Sequence, residues 1–190
     1  MAGDIHSDEV AAIVEHIGRG DDPYVVPKEL VEEPESPPPL AAQPAAEQEI
    51  VNKSLYNLIK NMGVGEKIKL ALKGNRDART ILIREANRLI PRFVLQNPRI
   101  TDDEIVGIAR NRNVDAELLR IVSEHKEWGR NQQVRSALVS NPKTPVAVAL
   151  RFVNSLTERE LRLLAKSKNI TSAVAGAAKR ILILRTTPGH

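Results

Sequence analysis

Beyond residue 50, apolar residues recur at the three- and four-residue spacing of amphipathic α-helices. The first such face is formed by Val51, Leu55, Leu58, Ile59 and Met62. Similar faces continue along the chain, and they predict a succession of short helices over residues 50–185 with essentially no strand. None of these helices could bury its apolar face alone, so the pattern predicts an all-α domain held together by stacking of neighbours.

Recurring polar segments punctuate this pattern. In the stretch from Asn97 to Glu104, Asn97 is expected to end a helix in the left-handed conformation, and Pro98 cannot continue that helix. Thr101 and Glu104 have the spacing of a capping box for the next helix. Turns of the same kind between helices are predicted at four other asparagines, Asn75, Asn113, Asn141 and Asn169.

Further residues are expected to begin helices. A second capping box is predicted for Thr157 and Glu160, and Asp115 is expected to cap its own helix. Thr144 is predicted to cap a helix that has Pro145 at its first position.

Two segments carry a family resemblance. The stretch from Val134 to Pro145, with its Val-Arg-x-Ala and Asn-Pro-x-Thr-Pro elements, and the stretch from Asn97 to Glu104 resemble bacterial leucine-rich-repeat-variant and HEAT-like α-solenoids. The resemblance covers residues 64–184. It implies a right-handed superhelical stack of short helices, of the kind that serves as a scaffold or binding surface. The chain departs from the family in its uneven spacing and its lack of a cysteine cluster, so no redox role is implied.

The N-terminal part differs in composition. Val10, Ile13, Val14 and Ile17 have helical spacing, which predicts a short amphipathic helix within residues 1–20. It is interpreted either as a fraying end or as a recognition helix that folds on a partner or on the protein's own domain. Residues 21–49 are acidic and rich in proline, so they are predicted to form a disordered linker, and residues 186–190 a disordered end.

Composition indicates the cellular compartment in which the protein is expected. The chain has no cysteine, no apolar run of membrane-spanning length and no segment of signal-peptide type, so a cytoplasmic protein without membrane insertion is expected. Charge is divided unevenly. Residues 1–49 carry 2 basic and 12 acidic side chains, whereas residues 50–190 carry 26 and 12. The domain is therefore expected to attract anionic surfaces.

Basic residues near the turns are the candidate binding residues. Lys69, Arg92, Arg135 and Arg162 each precede a turn asparagine by five to seven residues, so they are predicted to form a ladder on one face. Flanking the turns are four further cations, Arg110, Arg112, Lys166 and Lys168. For each set the alternative is a solvated surface. Trp128, the single tryptophan, is interpreted as a core residue or as an interface anchor.

No catalytic or metal-binding signature is found in the sequence, and no cofactor is predicted. The four histidines are far apart, and phosphate-loop and hydrolase motifs are missing. The sequence favours a non-enzymatic adaptor whose basic surface binds an acidic protein segment, with the N-terminal helix and tail as a second or regulatory contact. The alternative is a nucleic-acid-binding helical-repeat protein, although aromatic residues for base stacking are scarce. The oligomeric state is left open.

Overall fold

The computed structural model describes residues 7–32 and 54–186. Within these ranges the chain forms eleven α-helices and two 3-10 helices, and no residue lies in a strand. The predicted all-α class is therefore confirmed. The chain divides into two compact units, which meet in sequence between Ile100 and Thr101.

Unit 1 contains the first five helices. After α1 a 3-10 helix covers Lys28–Leu30, and residues 54–60 are helical and are called α2 here. The other elements are α1 (Ser7–Arg19), α3 (Val64–Lys73), α4 (Arg76–Leu82) and α5 (Leu89–Val94). In the sequence, Gly63 and Gly65 follow the first apolar helical face and indicate a break between helices. Gly63 does precede a helix, but Gly65 lies inside α3.

Unit 2 contains three helix pairs and one short 3-10 helix, Trp128–Arg130. The first members of the pairs are α6 (Asp102–Arg110), α8 (Gln132–Ser140) and α10 (Glu158–Lys166), each of nine residues. The second members are α7 (Ala116–Glu124), α9 (Val146–Val153) and α11 (Ser172–Thr186).

Polar caps fix where the first helix of each pair begins. Thr101 and Thr157 both form the predicted capping boxes, with Glu104 and Glu160 respectively. The side chain of Asn131 caps α8 by accepting from the backbone N–H of Gln133. These caps satisfy backbone donors that a helix start leaves without partners, and the two capping boxes predicted from sequence are confirmed.

A shared turn follows α5 and also ends the first helix of each pair in unit 2. Its first side chain accepts a hydrogen bond from the backbone N–H two residues later, as Asn97 does from Arg99 and Asn141 from Lys143. In the equivalent turns this first residue is Asn111 and Ser167. The positions predicted from sequence, Asn113 and Asn169, are therefore the third residues of their turns, and Asn75 instead caps α4.

Two predicted details of these turns are wrong. Asn97 does not adopt the left-handed conformation, because Gly20 is the only residue of positive φ in the described ranges. Thr144 does not cap α9. The N-cap is Pro145, the helix begins at Val146, and the Thr144 hydroxyl is buried with no hydrogen-bond partner. Thr144 occupies the fourth position of its turn, where the equivalent residues are Ile100, Val114 and Ile170.

Aliphatic side chains fill the core of each unit. Ile68, Leu82 and Ile90 are fully buried in unit 1, as are Leu119 and Leu161 in unit 2. Burial of this kind supplies the main stabilising term for helices too short to persist alone. In the part of the chain that the structure describes, no helix is both long and apolar enough to cross a bilayer.

Residues 20–32 pack against the helical part of unit 1 that follows residue 54. Leu30 is only 1% exposed, and the side chain of Asp22 is 2% exposed against Lys69. This differs from the disordered linker expected over residues 21–49, because Asp22 and Tyr24 contact α3, and main-chain carbonyls of the segment accept hydrogen bonds from Asn75. Residues 33–49, which belong to the same expectation, and residues 187–190 of the predicted C-terminal end lie outside the described residues.

Candidate functional site

Two buried asparagines connect helix ends that are distant in sequence. Nδ2 of Asn141 donates to the carbonyl oxygens of Ala109 and Asn111, at 2.8 and 3.0 Å. Nδ2 of Asn97 does the same in unit 1, toward Ala71 and Gly74, at 2.9 and 3.1 Å. The last carbonyls of a helix have no partner within it, so each amide satisfies two of them.

These bonds place helices of unit 2 side by side. At their starts, Nδ2 of Asn131 donates to Asp102 (3.1 Å), and Nε2 of Gln132 to Glu160 (3.3 Å). Asn141 joins the ends of α6 and α8, so these two helices run in the same direction. Burial raises the pKa of Glu160, but hydrogen bonds from Ser136, Thr157 and Gln132 outweigh burial, and the pKa lies below its ordinary value of 4.5.

Arginines connect the second helices of the pairs. Nη2 of Arg151 donates to the carbonyl oxygen of Ser123 near the end of α7, at 2.7 Å, and its guanidinium lies 4.5 Å from the centre of the Phe152 ring. Arg185 donates in the same way to the carbonyl oxygens of Asn154 and Leu156, at 2.7 and 2.8 Å. Both arginines therefore hold the ends of preceding elements.

The predicted ladder is not found within unit 2. Arg135 is half-buried, and its Nε donates to the carbonyl oxygen of Gly129 at 2.7 Å. Arg162 is exposed and pairs with Glu158 at 3.2 Å. When the helices are aligned by their caps, Arg135 is the fourth residue after Asn131 and Arg162 the fifth after Thr157. A one-residue offset turns a helical side chain by about 100°, so the two cannot share a face.

The other two residues of the predicted ladder, Lys69 and Arg92, lie in unit 1, and their surroundings differ. Lys69 is tied to the N-terminal segment, since its Nζ donates to Asp22 and to the carbonyl oxygen of Tyr24. Arg92 lies on α5 with an exposed side chain. Lys69 is therefore occupied by the chain itself and is not a residue of an open basic face.

The cations that flank the turns of unit 2 are all exposed. Arg110 and Arg112 bracket the first residue of one turn, and Lys143 is the third residue of the next. Because Asn141 bonds to Ala109 and Asn111, these two turns, which carry three of the cations, lie against each other. Lys166 and Lys168 are at the equivalent turn between α10 and α11. These five residues are called the turn cations below.

Trp128 belongs to the core, as one of the two interpretations held. It is 6% exposed, and the exposed ring of His125 stacks on it with ring centres 3.8 Å apart. A side chain this deeply buried has little surface left for a partner. The predicted anchoring role is therefore not supported by its position.

The residues predicted for the N-terminal recognition helix lie on α1, which packs on unit 1. Ile17 is fully buried, and Val10, Ile13 and Val14 are half-buried. Nζ of Lys73 donates to the carbonyl oxygen of Ile17 at 2.7 Å. This placement corresponds to the interpretation in which the helix folds on the protein's own domain.

Comparisons of this chain with protein-family models, curated proteins and solved structures give no match. The resemblance to α-solenoid families therefore depends on the quoted segments alone. Over residues 7–32 and 54–186, no group of three or more His, Asp or Glu side chains has the geometry of a metal site.

Lys143, Asp22 and Tyr24 were not identified as functional candidates from the sequence. Lys143 was missed because it stands at a different turn position from the cations selected at the other two turns. Asp22 and Tyr24 were missed because they lie in a proline-rich acidic stretch. The signal there was the apolar content of residues 24–31, which is higher than in a simple spacer.

Proposed function

We propose that the chain is a non-enzymatic cytoplasmic adaptor, that its helix pairs belong to a HEAT-like or leucine-rich-repeat-variant α-solenoid, and that the turn cations bind an acidic segment of a partner protein. The observation that carries this proposal is that two turns joined by Asn141 carry three exposed cations, Arg110, Arg112 and Lys143. Exposed like charges held together raise the local potential and attract an anionic partner.

The repeated architecture of unit 2 supports the same proposal. Its three pairs share a nine-residue first helix and a common turn, and in two of them cations stand on either side of the first turn residue, Arg110 and Arg112 after α6 and Lys166 and Lys168 after α10. Exposed cations at several turns suit an extended acidic segment, which presents carboxylates along its length. The exposed positions of Arg110 and Lys166 at helix C-termini also suit the negative end of the helix dipole, which is the structural alternative for those two residues.

A binding measurement tests this function. Fluorescence anisotropy with a labelled polyglutamate peptide compares the wild type with the triple variant Arg110→Glu, Arg112→Glu, Lys143→Glu. We expect the variant to bind at least about tenfold more weakly at low salt, with the difference shrinking as salt rises. A charge-matched control places the same three changes at exposed residues away from these turns, Lys126, Arg130 and Arg159.

The outcomes separate the candidate functions. Equal loss of binding in the test and control variants would show that only net charge matters, and the proposed site would be rejected. Binding of a labelled DNA duplex with a steep salt dependence, together with no binding of polyglutamate, would instead favour the nucleic-acid-binding alternative. Circular dichroism of both variants confirms that helix content is unchanged.

A further inference from the structure

A set of hydrogen-bond donors on unit 1 holds residues 20–32, called the strap here, by its main chain. The bonds run from Lys69 Nζ to Tyr24 O (2.6 Å), from Asn75 Nδ2 to Glu29 O (2.7 Å) and Glu32 O (3.2 Å), from Asn75 N to Leu30 O (2.8 Å) and from Arg99 Nη1 to Val31 O (2.6 Å). Every residue has a main-chain carbonyl, so donors of this kind hold an extended segment of almost any sequence.

Three side chains of the strap add specificity. The carboxylate of Asp22 accepts from Nζ of Lys69 at 2.7 Å and is almost completely buried. Tyr24 lays its ring against Gly65 of α3. Leu30 is 1% exposed. Unit 1 therefore recognises a carboxylate, an aromatic ring two residues later and an aliphatic side chain six residues after that ring.

Gly65 leaves room for the Tyr24 ring because it has no side chain. A Cβ atom at residue 65 would overlap the Tyr24 ring, although the residue lies in a helix where glycine costs about 1 kcal/mol relative to alanine. A glycine at such a position is explained by the close approach of the ring. The surface of α3 is thus formed to receive an aromatic side chain.

Asn75 holds the strap as the other buried asparagines hold helix ends. Asn97 bonds to the carbonyls of residues 71 and 74, and Asn75 bonds to those of residues 29 and 32, again three residues apart. The strap thus fills the place that the end of a preceding helix takes elsewhere. Residues 33–53 separate the strap from α2 in sequence, whereas only α4 lies between α3 and α5.

We propose that this surface of unit 1 is a peptide-binding groove, and that an acidic extended segment of another protein binds it in place of the strap. The segment has the form Asp-x-Tyr with a leucine six residues after the tyrosine. Charge complementarity supports an acidic occupant, since the strap carries four acidic residues and one lysine, Lys28, and its Asp22 carboxylate pairs with Lys69. The groove lies in unit 1 and does not involve the turn cations.

Displacement of the strap gives the test. A labelled peptide with the sequence of residues 20–32 is titrated into the full chain and into the full-length variant Asp22→Ala, Leu30→Ala, whose strap has lost two of its contacts. The intact strap competes at an effective concentration that a tether can raise to ~mM, so we expect the variant to bind the peptide at least about tenfold more tightly than the wild type does.

Two controls locate the binding. Adding Gly65→Ala to the variant should abolish peptide binding, because the groove then rejects the tyrosine ring. A peptide carrying Asp22→Ala should bind more weakly than one carrying Asp21→Ala, since Asp21 contacts His16 and not Lys69. If the double variant loses helix content, the single variant Asp22→Ala provides the same comparison.

Three results would overturn the proposal. They are no peptide binding to a folded strap variant, binding that Gly65→Ala leaves unchanged, and a concentration-dependent dimer that shows a second copy's strap as the occupant. All three can occur while polyglutamate still binds the turn cations, so this proposal and the proposed function can fail separately.

Discussion

Nδ2 of Asn97 lies 2.9 Å from the carbonyl oxygen of Ala71, which precedes it by 26 residues. The asparagine is 2% exposed, so both the amide and the carbonyl are removed from water. The same arrangement joins Asn141 to Ala109, 32 residues apart. Within each unit, therefore, one buried side chain fixes the position of one turn relative to the end of an earlier helix.

Asn141→Ala is expected to lower the free energy of unfolding by about 2 to 3 kcal/mol, because it leaves the carbonyls of Ala109 and Asn111 buried without that donor. Asn97→Ala should have a similar effect in unit 1. Asn113→Ala, at an exposed third turn position, should change stability by less than about 0.5 kcal/mol. Urea unfolding followed by circular dichroism measures all three. Equal effects at residues 113 and 141 would contradict the role given to the buried amides.

Thr144→Val is expected to stabilise the protein by about 1 kcal/mol, because the threonine hydroxyl is buried without a partner and valine has nearly the same shape. Thr157→Val should have the opposite sign, with a loss of about 1 kcal/mol, because the Thr157 hydroxyl caps α10. Thermal melts of both variants give the comparison. A destabilising Thr144→Val would mean that this hydroxyl has a partner.

The sequence was a good guide to local structure. The all-α class and the caps at Thr101, Asp115 and Thr157 followed from helical periodicity and from the few residue types that satisfy a helix start. These features depend on neighbours within four residues, and a single sequence displays such neighbours directly.

Relations between distant residues could not be predicted. Asn97 and Asn113 look alike in sequence, but only Asn97 is buried, because burial is decided by helices elsewhere in its unit. Arg135 and Arg162 appeared equivalent because each position was counted back from a turn asparagine. The turn after α10 begins at Ser167 and not at Asn169, so the position counted for Arg162 was wrong. Docking of the strap depends on Lys69 and Asn75, which lie more than 40 residues after the groups they bind.

Arg151→Gln is expected to cost about 1 to 3 kcal/mol, because the charged donor to the Ser123 carbonyl and the contact with the Phe152 ring are both lost. Arg162→Gln removes only an exposed pair with Glu158 and should cost less than about 0.5 kcal/mol. Denaturant unfolding at equal salt compares them. Equal losses would show that Arg151 contributes no more than a surface ion pair.

The contact between the strap and unit 1 should weaken in acid. The hydrogen bond from Lys69 holds the pKa of Asp22 below its ordinary value of 3.8; burial opposes this shift, while the backbone N–H of Tyr24 and the charges of Lys69 and Lys73 add to it. A carboxylate with a depressed folded pKa stabilises the folded state above its unfolded pKa, and this contribution is lost as pH falls through the folded value.

At about pH 6, Asp22→Asn should therefore lower the protection of strap amides against hydrogen exchange, measured after correction for intrinsic exchange rates. The difference in protection between this variant and the wild type should shrink as the pH falls below about 3.8. Asp21→Asn is the matched control, because the exposed Asp21 carboxylate bonds to His16 and should leave the strap protected throughout. The amides of α6 in unit 2 provide an internal reference in each sample. If wild type and Asp22→Asn remain equally protected at about pH 6, the buried ion pair with Lys69 does not hold the strap, and its attachment depends on the main-chain bonds, the Tyr24 ring and Leu30.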